Sequence, residues 1–231
     1  MKPRVLLTCI AVVLTATVAT TSAQRAVATP SARGFTANID NEWFPLRPGT
    51  RYVYTGERDG VRVRDFVIVS ASTATIGGYP ARLVYDRAYM RGHIAERTTD
   101  YYTQDRSGNV WYVGEDTAEL DANGRVTSTE GSWRAGTHGA KAGIFMPAHP
   151  KIGQSFRQEF YKGHAEDHFR VVGLFRGIGG QGAQALLTEE WTPLERGVLD
   201  HKTYVRGIGD IAENSVKGGN EHMELVSVQH G

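Results

Sequence analysis

The densest cluster of ligating side chains is "HAEDH", His164 to His168. On a strand, His164, Glu166 and His168 project from one side; on a helix, the two histidines share a face. Two imidazoles and a carboxylate suit zinc or iron. The glutamate is misplaced for the zincin pattern "HExxH". The preceding "YKG" marks an exposed hairpin, where a solvated polar loop is the competing reading. A metal-dependent hydrolase built on these three residues is one of three functional readings.

The other two readings rest on strand faces. "YYTQDRSGNVWYVGEDT", Tyr101 to Thr117, holds two aromatic runs around a turn signal and ends in paired acids. Strict alternation puts Tyr102 with Gln104 and Trp111 with Glu115. Polar-tipped aromatics suit the wall of a polar-mouthed cavity; cross-strand aromatic packing is the alternative. Downstream, "QSFRQEFY" aligns Arg157, Glu159 and Tyr161, "ALLTEEW" aligns Leu186, Thr188 and Glu190, and "VLDHKTYV" sets His201 between Leu199 and Thr203. A histidine or carboxylate on an apolar strand face is a candidate for a shifted pKa.

Several chemistries are excluded. "GSWRAG" lacks the first glycine of a nucleophile elbow, and the chain has no phosphate loop or dinucleotide fingerprint. "ELDANGR", Glu119 to Arg125, lacks the acids of an EF-hand and is explained by a tight turn at Asn123-Gly124. The acid pairs Glu115-Asp116, Glu166-Asp167 and Glu189-Glu190 are strand neighbours and point to opposite faces, so none is itself a dyad.

The first 23 of 231 residues read as an export signal: Lys2 and Arg4, an apolar run from Val5 to Val18, then "TSA" before a cut at Gln24. The run is short of the roughly 20 residues a membrane span needs. Cys9, the one cysteine, lies near the start of that run, where a lipoprotein signal would not place it. Residues 24–231 therefore contain no cysteine: no disulfide, thiolate metal site or cysteine nucleophile is available. The signal holds two of the 26 basic residues and none of the 25 acids, leaving a net charge of −1. No polybasic run argues for nucleic acid or an anionic membrane.

Residues 24–37 read as a flexible lead-in, and 38–231 as one domain. Its strands are expected at 51–55, 61–71, 80–90, 93–104, 109–115, 154–161, 168–175, 183–191, 198–205, 210–216 and 221–228. Turn signals lie between them, and 27 glycines supply the tight turns. The best helical candidate is a short piece near Thr137–Ile144. So many consecutive short strands predict an all-β antiparallel meander that curls into an open or closed barrel, lipocalin-like in shape, with few short helices. "RGIG" at Arg176 and Arg206 reads as two similar turns.

Three segments carry a resemblance: Tyr101–Thr117, "GSWRAGTHGAKAGIFMPAHPKIGQSFRQEFYKGHAED" and "EEWTPLERGVLDHKTYVRGIGDIAE". Together they resemble a group of uncharacterised exported bacterial β-rich proteins. The resemblance implies a secreted bacterial domain and no activity. Small actinobacterial barrels that cyclise polyketides are similar in shape only. The leading expectation is a secreted barrel holding a small, partly apolar molecule, with Gln104, Trp111, Glu115 and Glu190 lining the lumen and no cofactor. The second is a cyclase, isomerase or lyase in the same lumen, with His201 or Glu159 as acid–base group and Tyr102 polarising an oxygen.

Overall fold

The computed structural model describes residues 31–177 and 182–231; the expected signal, most of the lead-in and part of the first "RGIG" turn lie outside them. The described residues contain strands and no helix. In chain order the strands are β1 (Arg51–Arg58), β2 (Val61–Ile76), β3 (Tyr79–Met90), β4 (His93–Gln104), β5 (Val110–Leu120), β6 (Val126–Ser128), β7 (Trp133–Arg134), β8 (Lys141–Met146), β9 (Ser155–Arg157), β10 (Glu159–Phe160), β11 (His168–Arg176), β12 (Gln184–Trp191), β13 (Leu199–Val205), β14 (Gly209–Lys217) and β15 (Glu221–Gln229).

The first four strands are joined by two-residue turns at Asp59-Gly60, Gly77-Gly78 and Arg91-Gly92, all with positive φ. Two positive-φ residues define the type I′ turn, whose twist matches the flanking strands. The β4–β5 loop, "DRSGN", is longer and is closed by a side chain. Asp105 Oδ1 accepts from the backbone N–H of Ser107 and Asn109. Asp121 repeats the device after β5, accepting from Asn123 and Arg125. Its carboxylate thus serves the turn itself.

Every pairing is antiparallel, and the sheet runs β10-β8-β5-β4-β3-β2-β1-β15-β14-β13-β12-β11-β9, with β6 and β7 also on β5. The two ends of this path are separated in the chain by Gln158 alone. Residues 155–160 pair with β11 through β9 and with β8 through β10, so one short segment brings the ends of the barrel together. Gly143 on β8 permits this approach: a Cβ there would sit 2.2 Å from the Arg157 carbonyl oxygen. The expected helix near Thr137–Ile144 is replaced by a turn and β8. Gly136, His138 and Gly139 all adopt positive φ, which breaks a helix, and β5 offers the following residues a partner strand.

Residues 35–47 cover one end of the barrel. Phe35 packs edge-on against Tyr79 and Trp111, Thr36 pairs with Gln104, and Ile39, Trp43 and Leu46 join the main core. The last residues of the expected lead-in thus belong to the fold. Buried Arg82 donates to the carbonyls of Ala37, Ser70 and Ala71, fastening this cap to β2. Carbonyl acceptors satisfy its donors where no carboxylate is offered.

Candidate functional site: an acid-lined lumen

The barrel interior forms two adjoining chambers of about 250 Å³ and 460 Å³, which share Glu96, Lys202 and Glu213. The first has an aromatic wall of Phe44, Tyr52, Tyr54, Tyr102 and Phe145. Tyr102 stacks on Tyr112 at 4.8 Å and meets Phe44 and Phe145 edge-on. The rest of the lumen is carboxylic. Seven Asp and Glu side chains line the first chamber and ten the second, with Glu96 and Glu213 common to both. Arg58 and Lys202 are the lysine and arginine side chains among them.

Strand periodicity explains part of this set. Asp65 lies between Val63 and Val67 on the inward face of β2, and Asp86 between Val84 and Ala88 on that of β3. Register pairs Asp65 with Ala88, Val67 with Asp86 and Val84 with Asp100, so the three aspartates step diagonally across β2, β3 and β4. Burial, then the neighbouring Asp65, raises Asp86 well above the usual carboxylate range. Burial raises Asp100 to about 7, against the pull of a 2.5 Å hydrogen bond from the Tyr112 hydroxyl.

Glu115 and Asp100 are directly cross-strand. Burial and that neighbouring carboxyl raise Glu115 to about 8. Burial, then Asp167 and Glu115, raises Glu159 well above its usual range. The Trp133 indole opposes that rise, yet neither Trp133 Nε1 nor Glu159 Oε2 has a partner that meets hydrogen-bond geometry. Burial raises Asp167 too.

The two cations are already engaged. Arg58 donates to Glu221 at 3.0 and 2.7 Å and lies 3.8 Å from Glu96. Lys202 Nζ sits 3.4 Å from Glu190 and 3.5 Å from Glu213. Burial alone would lower the lysine pKa; these two carboxylates more than offset it and hold Lys202 protonated. Glu190 also accepts from Thr188 and Tyr204.

Of the residues expected from sequence, Tyr102, Glu115, Glu159 and Glu190 line the lumen, and His164 and His168 lie on the wall of its second chamber. Trp111 and Gln104 line neither chamber. Strict alternation fails in β5: Tyr101 opposes Gly114 and Tyr102 opposes Tyr112, leaving Val113 as the extra residue of a bulge. The bulge puts Tyr112 and Glu115 inside. Trp111 is buried elsewhere, with its indole on Asp105 at 2.9 Å. Gln104 holds the cap, accepting from the N–H groups of Asp40 and Asn41 and donating to Asp40 at 2.6 Å. His201 points outward beside Glu189 at 3.8 Å, and its neighbour Lys202 is the inward residue.

The expected metal triad is dispersed among other contacts. His164 stacks on Tyr161 and pairs with Glu130 at 2.6 Å. Glu166 accepts from the Gly163 N–H. His168 stacks on Trp191. Among the described residues, no three His, Cys, Asp or Glu side chains converge to hold a metal ion. Asp65, Asp86, Asp100 and Lys202 line the lumen and are absent from the expected set, as is Tyr112, whose hydroxyl reaches Asp100 from behind the lining. An acid inside an apolar alternation, as in Val63-Asp65-Val67, is the signal that identifies the first two.

No protein-family model matches the chain, and no curated protein matches it. A crystal structure of a candidate lipoprotein from Parabacteroides distasonis ATCC 8503 aligns over 82% of this chain and 99% of its own, at 8% identity and a TM-score of 0.42. A likeness at that level assigns no function.

Proposed function

We propose that this chain is an exported β-barrel that binds a small, partly apolar molecule in its lumen. The observation that carries the reading is the first chamber: five aromatic side chains wall one part of it while carboxyls face the rest. Apolar walls supply affinity and a few placed polar groups supply orientation. Tyr102 is the central wall residue, held by three aromatic neighbours. The test is native mass spectrometry of residues 24–231 beside the denatured mass, with ligand-observed NMR on matched small aromatic amines and alcohols. Binding that Tyr102→Ala removes while the strand circular dichroism is retained is the expected result. Absence of any bound compound, with no response to the whole panel, would refute it.

A second reading has its own support. Asp100 at about 7 and Glu115 at about 8, joined through Tyr112, are groups able to exchange a proton near neutrality. A cofactor-free isomerase, cyclase or lyase would use them in place of His201. Lys202, held protonated, is unsuited to a Schiff base. Under this reading Asp100→Asn abolishes conversion of a bound compound and leaves its binding intact.

A further inference from the structure

We propose that the lumen ligand is an organic cation, an amine or amidine with an apolar body, whose charged group is received by Asp100, Glu115, Glu159 and Asp167. The proposal rests on the lumen-binding reading above and specifies the chemistry of what is bound.

Charge imbalance is the first observation. The lysine and arginine of the lumen are spent on other carboxylates, Arg58 on Glu221 and Glu96 and Lys202 on Glu190 and Glu213; of the two histidines on the second chamber's wall, His164 pairs with Glu130 and His168 stacks on Trp191. The four receiving carboxyls act on one another. Glu159 feels Asp167, Glu115 and Asp100, and Glu115 feels Asp100, Glu96 and Asp167. Lys202 is the cation that reaches this group, through its effect on Asp100 and Asp167. Tyr112 and Thr192 donate hydrogen bonds to it.

The second observation is independent of charge. Glu159 is only 5% exposed and lines the second chamber; the Trp133 indole acts on it, yet neither Trp133 Nε1 nor Glu159 Oε2 has a partner that meets hydrogen-bond geometry. Asp65 Oδ1 in the first chamber is likewise buried without a partner in that geometry, with the Asp86 carboxyl as its interacting neighbour. A buried acceptor without a donor is costly, and an unpaired buried carboxylate more so. An ammonium offers three donors and a full positive charge, and so serves several carboxyls at once. The aromatic wall stands in the adjoining first chamber, on the side of Asp100, where it shields the apolar body of a cation whose charged group reaches Glu115, Glu159 and Asp167 in the second. No three ligating side chains converge for a metal ion among the described residues.

The experiment is isothermal titration of the folded chain with matched pairs: tryptamine and tryptophol, phenethylamine and 2-phenylethanol, octylamine and octanol. Each is run at pH 7 in two buffers of different ionisation enthalpy. The expected result is that amines bind at least tenfold tighter than their alcohols and release protons as the receiving carboxyls ionise. Glu159→Gln and Glu115→Gln, with melting transitions as cooperative as the parent's, should each weaken amine binding about tenfold or more and leave the alcohols unchanged. His201→Gln, on the outer face, should change neither. Alcohols binding as tightly as amines, or amine binding without proton release, would overturn the cation inference and leave the lumen-binding reading standing. If no member of any pair bound, both would fall.

Discussion

Glu115 offers the sharpest test of the electrostatics. Its carboxyl, ordinarily near 4.5, is held at about 8 by burial and by Asp100 across the strand pair. Such a group keeps its proton in the folded state after the unfolded chain has lost it. The folded state then binds more protons, so stability is full below the ordinary carboxylate range and falls as pH rises towards about 8. The full rise corresponds to about 5 kcal/mol, at roughly 1.4 kcal/mol for each pKa unit. Because it is shared with Asp100, about 2–3 kcal/mol is the portion that one substitution removes. Glu115→Gln replaces the protonated carboxyl by a neutral group of the same shape. Urea denaturation of parent and variant at pH 5 and pH 9, with equal slopes, measures the difference. The parent should lose stability between the two pH values, and the variant about 2–3 kcal/mol less. Parallel losses would show that Glu115 does not carry the shifted titration, and the account of the lumen would fail with it.

Other outcomes follow from the same structure. Lys202→Met leaves Glu190 and Glu213 facing one another without their cation; it should cost about 3–5 kcal/mol at pH 8 and much less at pH 4, read by denaturation. Gln104→Ala strands the N–H groups of Asp40 and Asn41. It should cost about 1–3 kcal/mol and speed amide exchange over residues 36–46, read by hydrogen–deuterium exchange. Gly143→Ala drives a Cβ into the Arg157 carbonyl, so the barrel should lose its cooperative melting transition. Tyr112→Phe removes the hydrogen bond that holds Asp100 down, and carbon-detected NMR titration should show Asp100 titrating above 7.

Much of the scaffold is local information. Alternation and two-residue turns such as Asp59-Gly60 and Arg91-Gly92 announce the hairpins from β1 to β4, because side-chain period and turn handedness are set within a few residues. The positions of Tyr102, Glu159 and Glu190 on the lumen wall follow from the same period, whereas Glu115 faces inward only because of the bulge in β5. His201 and Trp111 were misplaced because face assignment depends on phase. One bulged residue, Val113, or one step along β13 from His201 to Lys202, exchanges inside for outside.

Tertiary structure decided the charge distribution. A net charge of +1 for the whole chain is silent about where the charges lie. Closure through residues 155–160 gathers acids from β2, β3, β4, β5, β10 and β12–β15 around one lumen. On the outer face, Arg51 and Arg64 cover Phe66, and Phe66 meets Tyr89. Each acid is one unremarkable residue in its own strand. The mutual repulsion and raised pKa values of Asp86, Asp100, Glu115 and Glu159, and the poorly matched contact of Glu159 with the Trp133 indole, arise only when strands far apart in sequence enclose a common, poorly solvated space.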